Sequence, residues 1–322
     1  MKAKLTALSS YAPEKVVTNV DMEAMVETSD EWIVKRTGIK ERRYAKEDEY
    51  VVDLCHQAAL KMKEQHNLDY KDVDFILVAT VTGGMSMPSV ASQLQHSLGI
   101  ERTGSLDIGA ACAGFVYALI TAKGLIATGD YKKVLVFGAE TISKVLDFSD
   151  RTTCILFGDG AGVALVEAAE DGNILSTVTG TEGEGGPDLY LSSWNKKING
   201  IEIDANAKLH QTGKKVFKWA VSTATREINR LLQKENITMD EIDWFVPHSA
   251  NQRILDVVCE NLNFPVEKTL ESLSYYGNTS SATIPLALAE AAKSGKIKSG
   301  DKLALIGFGG GLTYAGTILV WP

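Results

Sequence analysis

The stretch Lys133-Val134-Leu135-Val136-Phe137-Gly138 decides the fold, because its pattern returns as Lys302-Leu303-Ala304-Leu305-Ile306-Gly307. The two stretches are 169 positions apart. A second pair of segments, residues 72–75 and 241–244, is separated by the same 169 positions. Two matches at one offset indicate that the chain contains an internal duplication.

Apolar strand-like runs alternate with helical patterns along the chain, at 75–79 and 134–137 for strands and at 51–65 and 216–233 for helices. This alternation predicts an α/β fold with largely parallel, buried strands. We expect two similar halves, residues 1–170 and 171–322.

The offset between the halves falls from 169 to 154 positions where residues 161–166 match residues 315–320. The first half therefore carries an insertion near residues 140–157. We interpret it as a dimer or substrate loop, with an ordinary surface loop as the alternative.

Composition limits the classes of function. With 322 residues, 45% of them hydrophobic, the chain can bury a large core and should be globular throughout. The first residues lack an apolar region with a cleavage site, and we expect no run of about 18 apolar residues. Membrane insertion and export are not expected, and the formal net charge of -8 disfavours nucleic acid as a partner.

The four cysteines are widely spaced and form no Cys-x-x-Cys pair, which argues against a metal centre or a disulfide framework. We expect a reduced, cytoplasmic protein. Cys112 differs from the others because it lies in Leu106-Asp-Ile-Gly-Ala-Ala-Cys112-Ala-Gly-Phe115, where an apolar strand meets an apolar helix. A helix start lowers a cysteine pKa from about 8.5 toward neutrality, so we predict a nucleophile. A small buried core side chain is the alternative.

Three further motifs fall at predicted strand ends. His248 follows the strand 244–247, Asn278 lies in a glycine turn before an apolar helix, and glycines crowd residues 307–311. Taken singly, they are explained by a structural histidine, a helix cap and a tight turn. Sites in α/β proteins form at the carboxyl ends of strands, so the duplication predicts a shared pocket with an oxyanion-stabilising glycine loop.

At this point a family resemblance is visible over essentially the whole length. Besides the Cys112 segment, its motifs are Thr-Ser-Asp-Glu-Trp-Ile-Val-Lys-Arg-Thr-Gly-Ile at 28–39, His-Ser-Ala-Asn-Gln-Arg at 248–253 and Tyr-Gly-Asn-Thr-Ser at 276–280. The chain resembles β-ketoacyl-acyl carrier protein synthase III, in the thiolase-like superfamily. The resemblance implies a duplicated, five-layered αβαβα fold, with Cys112 in the first half and His248 and Asn278 in the second.

Other members of the superfamily fit less well. Elongating condensing enzymes use two histidines, but no histidine follows His248. Thiolases carry a second cysteine in the terminal glycine motif, and residues 307–311 contain none. Hydroxymethylglutaryl-CoA synthases place a glutamate where this chain has residues 80–82, Thr-Val-Thr. Chalcone synthases share Cys-His-Asn but load directly from CoA, whereas Trp32, Arg36 and the segment 251–253 resemble the bacterial carrier-protein enzyme.

The resemblance implies the reaction that starts fatty-acid synthesis. Cys112 accepts the acyl group of an acyl-CoA, with the backbone N–H groups of Cys112 and Gly310 around the oxyanion. Malonyl-acyl carrier protein then loses CO₂, and His248 and Asn278 donate hydrogen bonds to the enolate oxygen. The products are 3-oxoacyl-acyl carrier protein, CoA and CO₂, and no metal or other cofactor is required.

The resemblance also implies binding residues and a homodimer. The residues expected to bind CoA are Thr28, Trp32, Arg36, Arg151, Gly213, Phe217 and Asn251. Those expected to meet the carrier protein are Lys214, Lys218, Ser249, Ala250, Asn251, Gln252 and Arg253, with Lys215 beside them. For Trp32 the alternative is core packing, and for the lysines it is a solvated helix face.

Met87 stands where the familiar acetyl-specific enzyme has phenylalanine. Because methionine is flexible, we expect an acyl pocket, partly supplied across the dimer, that accepts primers longer or more branched than acetyl. Two rival functions remain: a relative that starts a specialised polyketide or transfers acyl groups elsewhere, and a silent acyl-CoA-binding scaffold. The intact Cys112, His248 and Asn278 argue against the scaffold.

Overall fold

Two β-sheets organise the chain in the computed structural model, which describes all 322 residues. The strands are β1 (Lys2–Tyr11), β2 (Lys15–Thr18), β3 (Glu41–Tyr44), β4 (Phe75–Ala79), β5 (Gly104–Ile108), β6 (Lys133–Thr141), β7 (Asp159–Ala169), β8 (Ile174–Thr181), β9 (Leu189–Leu191), β10 (Lys197–Ile198), β11 (Ile201–Glu202), β12 (Leu209–Gln211), β13 (Trp244–Pro247), β14 (Lys302–Gly309) and β15 (Thr313–Val320). The first sheet has the order β1-β7-β6-β4-β5 and the second β13-β14-β15-β8, and the other strands form three short pairs.

The helices surround and separate these sheets. They are α1 (Asn19–Glu23), α2 (Asp30–Thr37), α3 (Val51–His66), α4 (Val90–Ser97), α5 (Gly114–Thr128), α6 (Arg151–Cys154), α7 (Gly213–Glu235), α8 (Gln252–Leu262), α9 (Leu273–Tyr276) and α10 (Thr283–Lys293). The helical patterns predicted at 51–65 and 216–233 correspond to α3 and α7.

Five layers result, as the resemblance implied. Helices α3 and α4 pack on the outer face of the first sheet, and α7 and α8 pack on the outer face of the second. Helices α5 and α10 lie between the sheets, where residues from both helices and both sheets form one apolar cluster. The largest core of the protein is therefore shared by its two halves.

The prediction of largely parallel strands is wrong. Only the pairs β4·β5, β4·β6 and β13·β14 are parallel, while the other four pairings in the two large sheets are antiparallel. Parallel neighbours need a long crossover, which α4, α5 and α10 provide, whereas β14 returns directly as β15 and must run antiparallel.

The duplication extends to the backbone at the two central turns. Short 3₁₀ turns at Ala111–Ala113 and Ser280–Ala282 precede α5 and α10, at the predicted offset of 169. Each turn opens on a non-glycine residue with positive φ, 44° at Ala111 and 51° at Ser280. This conformation is costly for residues with a side chain, and it occurs often at functional sites.

Helix α5 and the turn before it form a longer apolar run than we expected from the sequence. Ala111–Thr128 spans 18 residues with a mean hydropathy of 1.5, enough in length and composition for a membrane span. The structure places it between the two sheets, where residues such as Phe115 and Leu119 are fully buried. Its hydropathy is explained by this central position, so the expectation of no such run was wrong.

The insertion lies between β6 and β7. It forms a 3₁₀ turn at Ile142–Val145 and the short helix α6, whereas the second half has only the turn Gly310–Leu312 at the equivalent place. Arg42, fully buried, holds the end of the insertion by donating to the carbonyl oxygen of Ile155 at 2.7 Å.

Candidate active site

One cavity of about 710 Å³ collects most of the predicted functional residues. It opens at the carboxyl ends of the central strands and is lined by both halves and by the insertion. The predicted site residues that line it are Trp32, Arg36, Cys112, Arg151, Gly213, Phe217, His248, Ala250, Asn251, Arg253, Asn278 and Gly310. The insertion adds Ile142, Thr152 and residues 155–157, which agrees with the substrate-loop interpretation.

Cys112 lies at the buried end of this cavity with 8% of its surface exposed. The glycine run passes directly beside it, since a Cβ on Gly309 would lie 2.7 Å from the Cβ of Cys112. The backbone N–H groups of Cys112 and Gly310 are both within hydrogen-bonding reach of the thiol. They occupy the position expected of donors to the oxyanion that forms when this sulfur attacks a carbonyl group.

The expectation of a lowered pKa at Cys112 is wrong. Burial raises the pKa of the thiol to about 12, and the carboxylate of Glu140 adds to the increase. The hydrogen bond with the Ser280 hydroxyl and those with the two N–H groups lower the pKa but do not offset burial. Cys112 is therefore a thiol in the free protein, and its proton must leave as it attacks.

His248 is buried directly after β13. Its Nδ1 atom lies 2.8 Å from the hydroxyl of Thr283, and the Phe308 ring packs edge-on against the imidazole with 5.3 Å between ring centroids. Burial lowers the pKa of His248 to about 3, so the ring is neutral near pH 7.

The hydroxyl of Thr283 is also 2.9 Å from the carbonyl oxygen of Ser280. A hydroxyl has one hydrogen, so its direction decides which ring nitrogen of His248 is protonated. When Thr283 donates to the carbonyl, Nδ1 carries the hydrogen, and when Thr283 donates to Nδ1, the hydrogen is on Nε2.

Asn278 is held in place by the other half of the protein. Its N–H donates to the carbonyl oxygen of Leu156 at 2.8 Å, and its own carbonyl accepts from Gly158 at 3.1 Å. Its side-chain oxygen accepts the N–H of Ser280 at 2.9 Å. The side-chain NH₂ group is the part of the amide left to face a ligand in the cavity.

The exposed end of the cavity is aromatic and cationic. Trp32 is 36% exposed and carries Arg36 and Arg151 over its ring, at 5.4 and 5.3 Å from the ring centroid. Arg151 is also fixed by a 2.8 Å hydrogen bond to the carbonyl oxygen of Glu27. The alternative of core packing for Trp32 is therefore wrong, and the cluster suits a phosphorylated aromatic ligand.

Ser249 and Thr28, two of the predicted binding residues, do not line the cavity. Ser249 is fully buried, and its hydroxyl accepts the N–H of Ser272 at 3.1 Å. Its assignment to a carrier-protein surface is wrong, because the chain turns inward there. Thr28 does not line the cavity, and its hydroxyl is buried without a hydrogen-bond partner.

The remaining predicted residues lie at the surface or near the cavity mouth. Lys214 and Lys218 are exposed on α7, and Arg253 is exposed on α8, whereas Lys215 pairs with Asp188 at 2.9 Å. Asn251 caps α8 by accepting the N–H of Arg253, and the partly exposed Gln252 donates to Asp256. Met87 is 83% exposed and does not line the cavity within one chain.

Sequence reasoning missed three residues next to Cys112, His248 and Asn278. They are Glu140, Ser280 and Thr283. Glu140 is fully buried at the end of β6, and Ser280 lies between it and Cys112. The repeat pointed to the Ser280 turn but not to its side chain. Nothing in the sequence around Glu140 indicates that Ser280 connects it to Cys112.

Comparison with known proteins agrees with this site. The family model "3-Oxoacyl-[acyl-carrier-protein (ACP)] synthase III" matches residues 106–183, and its C-terminal counterpart matches residues 232–321. The chain is 50% identical over 321 residues to β-ketoacyl-[acyl-carrier-protein] synthase III 2 of Bacillus subtilis (strain 168), with 99% of each chain covered. It is 51% identical to the protein of the same name from Halalkalibacterium halodurans, covering 99% of this chain and 97% of that protein.

A solved structure is similar over the same length. The β-ketoacyl-[acyl carrier protein] synthase III of Thermus thermophilus superposes with a TM-score of 0.95 at 41% identity, and 99% of each chain is covered. This likeness extends across both halves and all five layers.

Proposed function

The chain belongs to the 3-oxoacyl-[acyl-carrier-protein] synthase III family, and from that premise we propose that it starts fatty-acid synthesis by decarboxylative condensation. It joins the acyl group of an acyl-CoA to malonyl-acyl carrier protein and releases CoA and CO₂. The observation that carries this proposal is the convergence of Cys112, His248 and Asn278 in one cavity, whose exposed end holds Trp32 together with Arg36 and Arg151.

In the first half of the reaction, the sulfur of Cys112 attacks the thioester carbonyl of the acyl-CoA. The N–H groups of Cys112 and Gly310 stabilise the oxyanion, a contribution worth about 10²–10³ in rate for one donor. The thiol proton of Cys112 is lost as the sulfur attacks. The C–S bond to CoA then breaks, and CoA leaves as the thiolate. The acyl group remains on Cys112 as a thioester.

In the second half, malonyl-acyl carrier protein loses CO₂ and becomes an enolate. Asn278 donates from its side-chain NH₂, since its oxygen is occupied by Ser280. His248 donates from Nε2, in the tautomer in which the Thr283 hydrogen turns from the Ser280 carbonyl to Nδ1. A carboxylate in either place would oppose the enolate charge. The enolate carbon attacks the acyl thioester, and the Cys112 sulfur leaves.

Substrate binding follows from the cavity walls. Trp32 stacks on the adenine of CoA while Arg36 and Arg151 meet its phosphates, and Gly213, Phe217 and Asn251 border the pantetheine arm. The exposed Lys214, Lys218 and Arg253, with Ala250 and Gln252, form a surface for an acidic carrier protein around the cavity mouth. The side chains account for each step without a metal or redox cofactor.

We further propose a cytoplasmic homodimer. Strand β5 is at the edge of the first sheet and exposes Leu106 at 49%, and an open apolar edge favours pairing with a second copy. Met87 is exposed in one chain and would reach the acyl pocket of the partner. We propose that this flexible side chain admits primers longer or more branched than acetyl.

The rival of a specialised polyketide starter is not favoured, since relatives that are half identical over the full length carry the synthase III name. Intact-mass analysis after incubation with acyl-CoA tests the proposal. We expect an acyl adduct on Cys112, its discharge by malonyl-acyl carrier protein, and release of CO₂ and 3-oxoacyl-acyl carrier protein. Competition among acetyl-, isobutyryl- and isovaleryl-CoA reports the primer preference.

Cys112→Ala should abolish the adduct, whereas Asn278→Ala should permit it but block condensation. An adduct on another residue, or discharge without CO₂, would contradict the proposed reaction. A strict preference for acetyl-CoA would contradict the role given to Met87 but leave the reaction intact.

A further inference from the structure

Glu140 is a buried acid that the proposed reaction does not use. It is fully buried at the end of β6, beside the nucleophile. Its carboxylate accepts hydrogen bonds from the hydroxyls of Thr80, Thr82 and Ser280 and from the N–H groups of Val81 and Thr82, at 2.5 to 3.2 Å. None of these donors is a cation, so an ionised Glu140 has no opposite charge to balance it in the interior.

Ser280 connects this acid to the nucleophile. The thiol of Cys112 donates to the Ser280 hydroxyl at 3.4 Å, and that hydroxyl donates to Glu140 at 3.2 Å. The thiol hydrogen and the Ser280 hydroxyl hydrogen therefore both point along one path, from the sulfur toward the carboxylate. A continuous path of this kind permits a proton to be passed by exchange at each hydroxyl.

We propose that Glu140 receives the thiol proton of Cys112 through Ser280 when the acyl group is loaded, an inference that rests on the function proposed above. The S–H bond breaks and an O–H bond forms on Ser280, whose own hydrogen moves to the Glu140 carboxylate. The sulfur forms its bond to the acyl carbon, and CoA leaves as the thiolate. The proton returns along the same path when the Cys112 thiolate is released after condensation.

Charge favours this path. Loss of the Cys112 proton to solvent would place a thiolate beside the Glu140 carboxylate, so that the interior holds two negative charges. Transfer of that proton to Glu140 leaves only one. Burial raises the pKa of Glu140 to about 7, while that of His248 is lowered to about 3, so Glu140 is the stronger base. His248 can then stay neutral and serve as a donor.

Other titratable groups around Glu140 are few. Cys55 on α3 faces it and burial raises the pKa of that thiol, so Cys55 stays neutral. On β7, Asp159 lies opposite Thr141 and bonds instead to Ser143 and Ala45. His248 is beyond Ser280, on the far side of Thr283. These groups leave Glu140 as the acceptor connected to the thiol.

The test is the pH dependence of loading, measured as the rate of adduct formation on Cys112 at saturating acyl-CoA without malonyl-acyl carrier protein. In the unaltered protein, the rate should rise with pH through a transition near pH 7, because only ionised Glu140 accepts the proton. Glu140→Gln keeps the size of the side chain but should remove this transition and slow loading at pH 7 by about 10²-fold.

Two further variants separate this role from a structural one. Ser280→Ala breaks the path with Glu140 in place and should lose the same transition. Thr80→Val removes one donor to the carboxylate and leaves the path intact, so the transition should move to higher pH by roughly half a unit or more. A merely structural Glu140 predicts no such shift. Circular dichroism and thermal melting identify any variant that does not fold.

An unchanged pH transition in Glu140→Gln would overturn this inference, while the proposed function stands. If Glu140→Gln does not fold, an unchanged transition in Ser280→Ala has the same consequence. Absence of any adduct in the unaltered protein would instead overturn the proposed function, and this inference with it. Loss of the transition in Glu140→Gln and Ser280→Ala together with its upward shift in Thr80→Val supports the proton path.

Discussion

The Nδ1 atom of His248 and the hydroxyl of Thr283 lie 2.8 Å apart, in the interior of the protein. Thr283 is the first residue of α10, and its hydroxyl is also 2.9 Å from the carbonyl oxygen of Ser280. The direction of one hydroxyl hydrogen thus decides whether His248 presents a donor or an acceptor to the substrate.

Thr283→Val should therefore slow condensation. Valine has nearly the same shape but lacks the hydroxyl, so Nδ1 is left unpaired and the Nε2–H tautomer is no longer stabilised. We expect the discharge of acyl-Cys112 by malonyl-acyl carrier protein to slow about tenfold or more, with loading nearly unchanged. Thr283→Ser is the control and should retain discharge within about threefold. Equal discharge rates in the valine variant and the unaltered protein would exclude this role.

Asn278→Asp should block the condensation step more selectively than Asn278→Ala does. The carboxylate oxygen still accepts the N–H of Ser280, so the turn is kept. The donor to the enolate is lost and a negative charge takes its place, so condensation should fall by at least about 10²-fold. Loading of Cys112, followed by intact mass, should stay within a few-fold. Condensation near the unaltered rate would refute the donor role of the amide.

Two adjacent glycines should respond differently to alanine. A Cβ on Gly309 would lie 2.7 Å from the Cβ and 2.9 Å from the Sγ of Cys112, whereas a Cβ on Gly310 meets nothing closer than 3.4 Å. We expect Gly309→Ala to displace the thiol and slow loading by about 10²-fold or more. Gly310→Ala keeps its N–H and should load within about tenfold of the unaltered protein. The prediction fails if both variants load alike.

Trp32→Ala should weaken the capture of acyl-CoA rather than the chemistry. The Trp32 ring lies at the exposed end of the cavity with the guanidinium groups of Arg36 and Arg151 5.4 and 5.3 Å from its centroid, whereas Cys112 is buried. The acyl-CoA concentration for half-maximal loading should rise about tenfold, equivalent to about 1.4 kcal/mol, with little change in the maximal rate. Acyl-pantetheine, which lacks the nucleotide, should be loaded equally by both proteins.

Trp194→Ala provides the matched control for that experiment. Trp194 is also exposed but does not line the cavity, so its loss should leave half-maximal loading unchanged. Equal effects of the two substitutions would show that Trp32 acts through general stability and not through the nucleotide.

The sequence was sufficient to predict that Cys112, His248 and Asn278 share one cavity but not to predict their pKa values. The repeat at 169 positions brought the turns of Cys112 and Asn278 together, and the strand before His248 was correctly bounded. The pKa of Cys112 was predicted in the wrong direction, because a local helix start is visible in sequence whereas burial by the opposite half is not.

The surroundings of Glu140 and Ser249 could not be predicted from the sequence for the same reason. The hydrogen-bond partners of Glu140 lie 58 to 140 positions away in sequence, so no local pattern identifies it. Ser249 is polar and follows a strand, which favours exposure, but Ser272 from a distant loop covers it. Long-range contacts, which sequence spacing does not encode, decide both positions.

Helix α5 has a consequence for synthesis of the protein. Its apolar surface is covered by β14 and β15 as well as by the first sheet, and those strands leave the ribosome more than 150 residues later. At a synthesis rate of about 5–20 residues per second, the apolar surface of the helix stays exposed for roughly ten seconds or more. We expect the nascent first half to need a chaperone during that interval, and a fragment ending near residue 170 to aggregate when expressed alone.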